Sequence, residues 1–157
     1  MRIRLIQLGK NQDAFIEEGI AFFQKKLKHY CTFEQVTLPN LKQVTNLSHE
    51  EVKRLEGELL LRSLDTRNLV CLLDERGKKY DSPGFARQLD QWALAGRSQV
   101  DFIIGGAFGF SDAVYQRADA SVSLSDMTFS HQLIRLIFLE QLYRAFTILR
   151  NEPYHHG

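Results

Sequence analysis

Apolar residues recur along this chain in two rhythms, every second position and every third or fourth, and the two alternate from end to end. Arg2 to Gly9 places Ile3, Leu5 and Gln7 on one face and ends in a glycine, which predicts a strand and a turn. From Gln12 to Tyr30, the residues Phe15, Gly19, Phe22, Phe23 and Leu27 fall at helical spacing and predict an amphipathic helix buried along that stripe. Thr32 to Leu38 reads as a second strand, stopped by Pro39 and followed by a polar loop from Asn40 to Leu47. Ser48-His49-Glu50-Glu51 is a capping box, in which serine and glutamate each satisfy a free backbone amide, and Val52, Leu55, Leu59 and Leu64 mark one side of the helix it opens.

Asn68 to Leu73 is almost continuously apolar, as a parallel strand covered on both faces must be. Ser82-Pro83 reads as a serine cap with proline at the first helical position; Gly96 closes that helix, and Phe85, Leu89 and Trp92 form its buried stripe. Val100 to Gly106 is a buried strand running into a glycine turn, Ser111 opens a short helix, Ser121 to Leu124 gives a last strand, and one long helix spans His131 to Leu149. Such alternation predicts an α/β fold with a mainly parallel sheet and helices on both faces, its ligand site beyond the carboxyl ends of the strands. The turns after Leu73, Gly106 and Leu124 are therefore where binding residues are expected. The long helix is apolar around nearly its whole circumference, so it needs partners on more than one side, and a second copy of the chain is one that fits.

A length of 157 residues, 44% of them hydrophobic, is that of one domain spanning residues 1–157. Twenty Lys and Arg against nineteen Asp and Glu leave a net charge of +1, so unselective binding to nucleic acid or an anionic membrane is excluded and any RNA contact must use a local patch. Lys25, Lys26 and Lys28 form one such cluster, and Arg76, Lys78 and Lys79 form another beside the Leu73 turn. No apolar run approaches the roughly 20 residues of a membrane span. The amino terminus carries no export signal, and two distant cysteines suggest neither a disulfide framework nor a zinc site, so a cytoplasmic protein is expected.

Gly105, Gly106 and Gly109 do not match the dinucleotide fingerprint, because Ala107 stands in its second glycine place, and no phosphate-loop motif is present. The glycines fit either a tight turn at positive φ or a loop approached closely by a ligand. Glu140 and Arg144, four apart on a helix, fit a surface ion pair, and His155-His156 fits a solvated end. On these residues alone, a non-catalytic nucleotide-binding module and a dimeric interaction protein remain open beside an enzyme.

Taken together, Leu72-Leu73-Asp74, Ile103-Ile104-Gly105-Gly106, Ser123 to Phe129, and Tyr143-Arg144-Ala145 followed by Pro153-Tyr154-His155 resemble, in order and spacing, the SPOUT-class 23S rRNA pseudouridine N3-methyltransferase family called RlmH (YbeA). The resemblance covers essentially the whole chain. It implies an S-adenosylmethionine-dependent enzyme without a metal, acting on N3 of a pseudouridine in helix 69 of 23S rRNA on the assembled ribosome. It also implies a SPOUT-type fold whose carboxyl-terminal part forms a trefoil knot, and a homodimer joined through helices that include the last one. The implied cofactor-binding residues are Leu73, Gly105, Leu124, Ser125, Asp126, Met127, Thr128 and Phe129; the implied substrate-side catalytic residues are His131, Arg144, Tyr154 and His155. This chain departs from the family pattern at Phe108, where a polar or acidic residue is common, and at its His156-Gly157 end, where a basic residue is.

Overall fold

The structure is a computed structural model describing residues 1–157. Its elements run β1 (Arg2–Leu8), α1 (Ala14–Leu27), β2 (Thr32–Leu38), α2 (His49–Arg62), β3 (Leu69–Lys79), α3 (Ser82–Leu94), β4 (Gln99–Ile104), α4 (Asp112–Arg117), β5 (Ala120–Ser123) and α5 (Leu133–Leu149). The five strands form one sheet in the order β2-β1-β4-β3-β5, every pair parallel. The connection through α3 leads from β3 to one neighbour, and the connection through α4 crosses back to β5 on the other side. Such a reversal opens a crevice at the carboxyl ends of the strands around β3.

Alternation within the strands feeds two cores. Ile3, Leu5, Cys71, Val100 and Phe102 face α1, α3 and α5, where Ile16, Ile20, Phe85, Leu89, Phe138 and Leu142 cover them. Ile6, Leu8, Val70, Leu72 and Ile103 face the opposite way, under Leu60 of α2 and Val114 of α4. Arg4 and Asp101 stand opposite each other in register between β1 and β4, and Arg4 donates to both carboxylate oxygens at 2.8 Å. That pair raises the Arg4 guanidinium above its ordinary range, chiefly through the hydrogen bonds to Asp101. Arg135 of α5 is buried and donates to the Leu8 carbonyl at 2.8 Å and to Asn11 at 3.1 Å, fastening α5 to the end of β1. Having no carboxylate partner, it is lowered by burial.

Three sequence expectations are corrected by the fold. In α1, Leu27 is buried and Phe23 packs against the core as expected, but Ile16 and Ile20 complete the buried face, whereas Phe15 and Phe22 are 60% and 56% exposed. α1 thus carries a second apolar stripe, of Phe15 and Phe22, that looks outward. α3 is capped by Asp81, whose carboxylate accepts from the Gly84 amide at 2.7 Å, so Ser82 is already helical. β3 does not stop at Leu73. Leu73 and Lys78 both lie opposite Val122, so Asp74 to Gly77 form a four-residue bulge before pairing resumes to Lys79.

Candidate functional site

Between the carboxyl ends of β3, β4 and β5 lies a cleft of about 320 Å³. Its floor is Leu73, Ile104 and Val122, and the turn Gly105 to Phe110 forms one wall. The segment from Ser123 to Phe129 forms another, with His131 and Ile134 at the start of α5 closing the end. Of the eight expected cofactor-binding residues, Leu73, Gly105, Leu124, Ser125, Met127, Thr128 and Phe129 line this one cavity. Asp126 does not: its carboxylate turns outward to pair with Lys79. Among the expected substrate-side residues only His131 lies on the cleft lining.

The glycines of the turn are explained by space more than by dihedral freedom. Only Gly109 has a positive φ, +86°. A Cβ on Gly105 would come within 3.0 Å of the Phe110 ring, and one on Gly106 within 2.4 Å of the Glu56 carboxylate. At these glycines the cleft wall is consequently bare backbone, with the Ala107 and Phe110 side chains beside it on the same wall. Phe108, one of the two departures from the family pattern, stacks on His49 with ring centroids 3.8 Å apart.

The β3 bulge ties the walls together. Tyr115 of α4 donates to Asp74 at 2.5 Å and accepts from Arg76 at 2.7 Å, while Thr128 on the far wall donates to Glu75 at 2.9 Å. Burial and the bond to Asp74 push the Tyr115 phenol above its ordinary range, so it stays a donor at neutral pH. Gly77 permits the bulge, since a Cβ there would lie 2.6 Å from the Val122 nitrogen. Arg76 is therefore engaged within the cleft rim, and the basic cluster it belongs to in sequence is divided: Lys79 pairs with Asp126, and Lys78 lies over the Tyr80 ring.

The remaining candidates form a second cluster. Arg144 of α5 grips Glu140 through two nitrogens at 2.6 and 3.0 Å, Tyr154 donates to the same carboxylate oxygen at 3.0 Å, and Arg144 lies 4.7 Å over the Tyr154 ring. The Arg144 Nη1 donates to His155 Nδ1 at 3.1 Å. A guanidinium can only donate, so this contact is a hydrogen bond in the tautomer that leaves Nδ1 free and carries the proton on Nε2. Glu140 and Arg144 are thus the centre of a four-residue network rather than an isolated surface pair. His155 and Gly157 border a second hollow of about 480 Å³, which shares Val122, Ser123, Leu124 and Phe129 with the cleft. Within one chain, then, none of Arg144, Tyr154 and His155 lines the cleft, and His155 stands behind a wall that the two hollows share.

Glu75 and Tyr115 of the cleft had no functional signal in sequence, Asp74 appeared only as the end of the Leu72-Leu73-Asp74 motif, and Glu140 of the tail cluster carried only its spacing from Arg144. Asp74 and Glu75 look like solvated charges until the bulge brings them to the cleft lining. The cleft suits a nucleoside-bearing donor: the bare backbone of the glycine turn supplies main-chain donors and acceptors, and Leu73, Leu124 and Phe129 supply apolar surface for a flat ring. No group of three or more His, Cys, Asp or Glu side chains is placed to hold a metal ion. No helix is long and apolar enough to cross a membrane.

Comparison with known proteins adds two findings. A family model described as "Predicted SPOUT methyltransferase" matches residues 1–155. Proteins named Ribosomal RNA large subunit methyltransferase H from Christiangramia forsetii, Parabacteroides distasonis and Flavobacterium johnsoniae are each 47% identical to this chain over 156 residues, covering 99% of both partners.

Proposed function

The chain belongs to the SPOUT methyltransferase family, and from that premise we propose that it transfers a methyl group from S-adenosylmethionine to large-subunit ribosomal RNA, at N3 of a pseudouridine in helix 69 of the assembled ribosome. The observation that carries this reading is the convergence of Leu73, Gly105 and the Leu124 to Phe129 segment on one cleft at the carboxyl edge of a parallel sheet. Those residues hold the donor, which supplies an electrophilic methyl on a sulfonium. The chain's own task is to align and shelter it, because methyl displacement depends on geometry and on keeping water out.

The acceptor nitrogen needs a different service. N3 of a neutral pseudouridine bears a proton, and its lone pair is freed only when that proton leaves. Arg144 stabilises the resulting imide anion, held in place by Glu140, and Tyr154 orients the base. His155 has its Nδ1 lone pair occupied by Arg144 and its proton on Nε2, so it serves as a hydrogen-bond donor to RNA rather than as the base. His131, on the cleft lining, is the ring left to accept the proton.

Arg144, Tyr154 and His155 do not line the cleft of their own chain, which is the physical reason for proposing a homodimer: the tail of one subunit then completes the cleft of the other. Phe15 and Phe22, seven residues apart on the outward stripe of α1, supply apolar surface for that contact. The trefoil threading, a single domain over residues 1–157 and cytoplasmic residence belong to the same proposal. The test is mass mapping of rRNA nucleosides from cells with and without this protein. The expected result is loss of one methylated pseudouridine, restored by the natural chain and not by Arg144→Ala, whose turnover falls on the order of 100-fold while its donor affinity holds. An identical nucleoside map in both cells contradicts the proposal.

A further inference from the structure

One half-buried ionisable group near the cleft has no part in the chemistry above. Glu56, in the third turn of α2, has a fully buried Oε1 with no hydrogen-bond partner in the protein. Its carboxyl occupies the space where a side chain at position 106 would stand, since a Cβ on Gly106 would lie 2.4 Å from each of its oxygens. Gly106 has no positive φ, so its backbone conformation does not call for glycine, and the space beside it is taken by this carboxyl. Gly106 itself lines the cleft.

Glu56 is not the only grip α2 has on this segment. At the helix start, His49 stacks on Phe108 at 3.8 Å. One residue beyond Glu56, Gly57 lets Ser111 approach so closely that a Cβ would meet its hydroxyl at 2.4 Å. Three contacts from one helix therefore back the stretch from Gly106 to Ser111 on its side away from the cleft. Burial raises the Glu56 carboxyl above its ordinary range.

We propose that α2 is the backing on which the donor-binding turn is set, and that Glu56 is the positioning residue that fixes Gly105 and Gly106 against the cleft. The proposal rests on the reading that this cleft binds S-adenosylmethionine. Removing the carboxyl leaves a space into which the turn relaxes, so the bare backbone that meets the donor shifts away from it. Glu56→Gln keeps the shape and keeps the turn in place.

The experiment uses the full chain, with calorimetric titration of S-adenosylmethionine and S-adenosylhomocysteine and hydrogen exchange of residues 105–111 without ligand. For Glu56→Ala the expected result is a Kd for both ligands about tenfold higher and faster exchange in the turn, with KM for the donor raised and kcat kept, while Glu56→Gln stays within about twofold of the natural chain. Gly106→Ala pushes the carboxyl out and repeats the Glu56→Ala result. Because both changes break one contact, the double variant is no weaker than either single one. Glu56→Ala with natural affinity and natural exchange overturns the proposal, as does a double variant whose losses multiply. A natural chain that binds neither ligand overturns the donor reading as well, and so separates the two failures.

Discussion

At the residue scale, several positions are held by space alone. Gly77 is the clearest, because the atoms a Cβ would meet are main-chain atoms of Val122 and Ser121, which cannot swing aside. Gly77→Ala should cost about 2 kcal/mol by forcing β3 and β5 apart, measured by urea unfolding, and should weaken donor binding because Val122 is part of the cleft floor. The thiols give a pH test. Burial pushes Cys71 up to about 12 and Cys31 up to about 11, so neither ionises near neutral pH in the folded chain. The unfolded chain releases these protons from about pH 9 upward while the native state retains them, so stability is intact below that pH and falls as pH rises toward 12. Urea unfolding at pH 7.5 and pH 10.5 checks the sign, and Cys71→Ala flattens the alkaline loss.

At the scale of elements, the Ser48 cap shows what local sequence can carry: its hydroxyl accepts from the Glu51 amide at 3.1 Å, the serine half of the capping box, while the Glu51 side chain makes no return bond to the Ser48 amide. Ser48→Ala should cost about 1 kcal/mol by denaturant unfolding. The rhythm of strands and helices was legible for the same reason, since period two and period three-to-four are local patterns. The orientation of α1 was not. Ile16, Ile20 and Leu27 make one stripe and Phe15 and Phe22 another, and periodicity cannot say which meets the chain's own sheet. The β3 bulge escaped notice because its polar Asp74-Glu75-Arg76 interrupts the apolar run, and pairing resumes only through contact with Val122, distant in sequence. The proposed homodimer uses the outward stripe, so Phe15→Glu with Phe22→Glu should shift it to monomer in sedimentation. Loss of methylation with the donor Kd unchanged should accompany it.

At the scale of the whole molecule, charge and topology divide the work. A net charge of +1 gives no field to hold RNA at long range, so binding to isolated RNA fragments should be weak, with a modest salt slope. In the proposed function, recognition then depends on local shape around the cleft and the tail cluster. The order β2-β1-β4-β3-β5 places the proposed donor cleft at the reversal beside β3, and α5 joins that cleft to the network of Glu140, Arg144, Tyr154 and His155. The cleft segments were legible as turns after strands; the separation of the tail cluster from the cleft was not, because it depends on how the last residues fold back onto α5. The most direct test of the account is a calorimetric titration of the cleft with S-adenosylmethionine, ATP and NAD, on the natural chain and on Gly105→Leu. The account predicts that S-adenosylmethionine alone binds, and that the leucine, added where Phe110 already lies within 3.0 Å of a Cβ, abolishes it. Equal binding of ATP, or S-adenosylmethionine binding undiminished in Gly105→Leu, would contradict it.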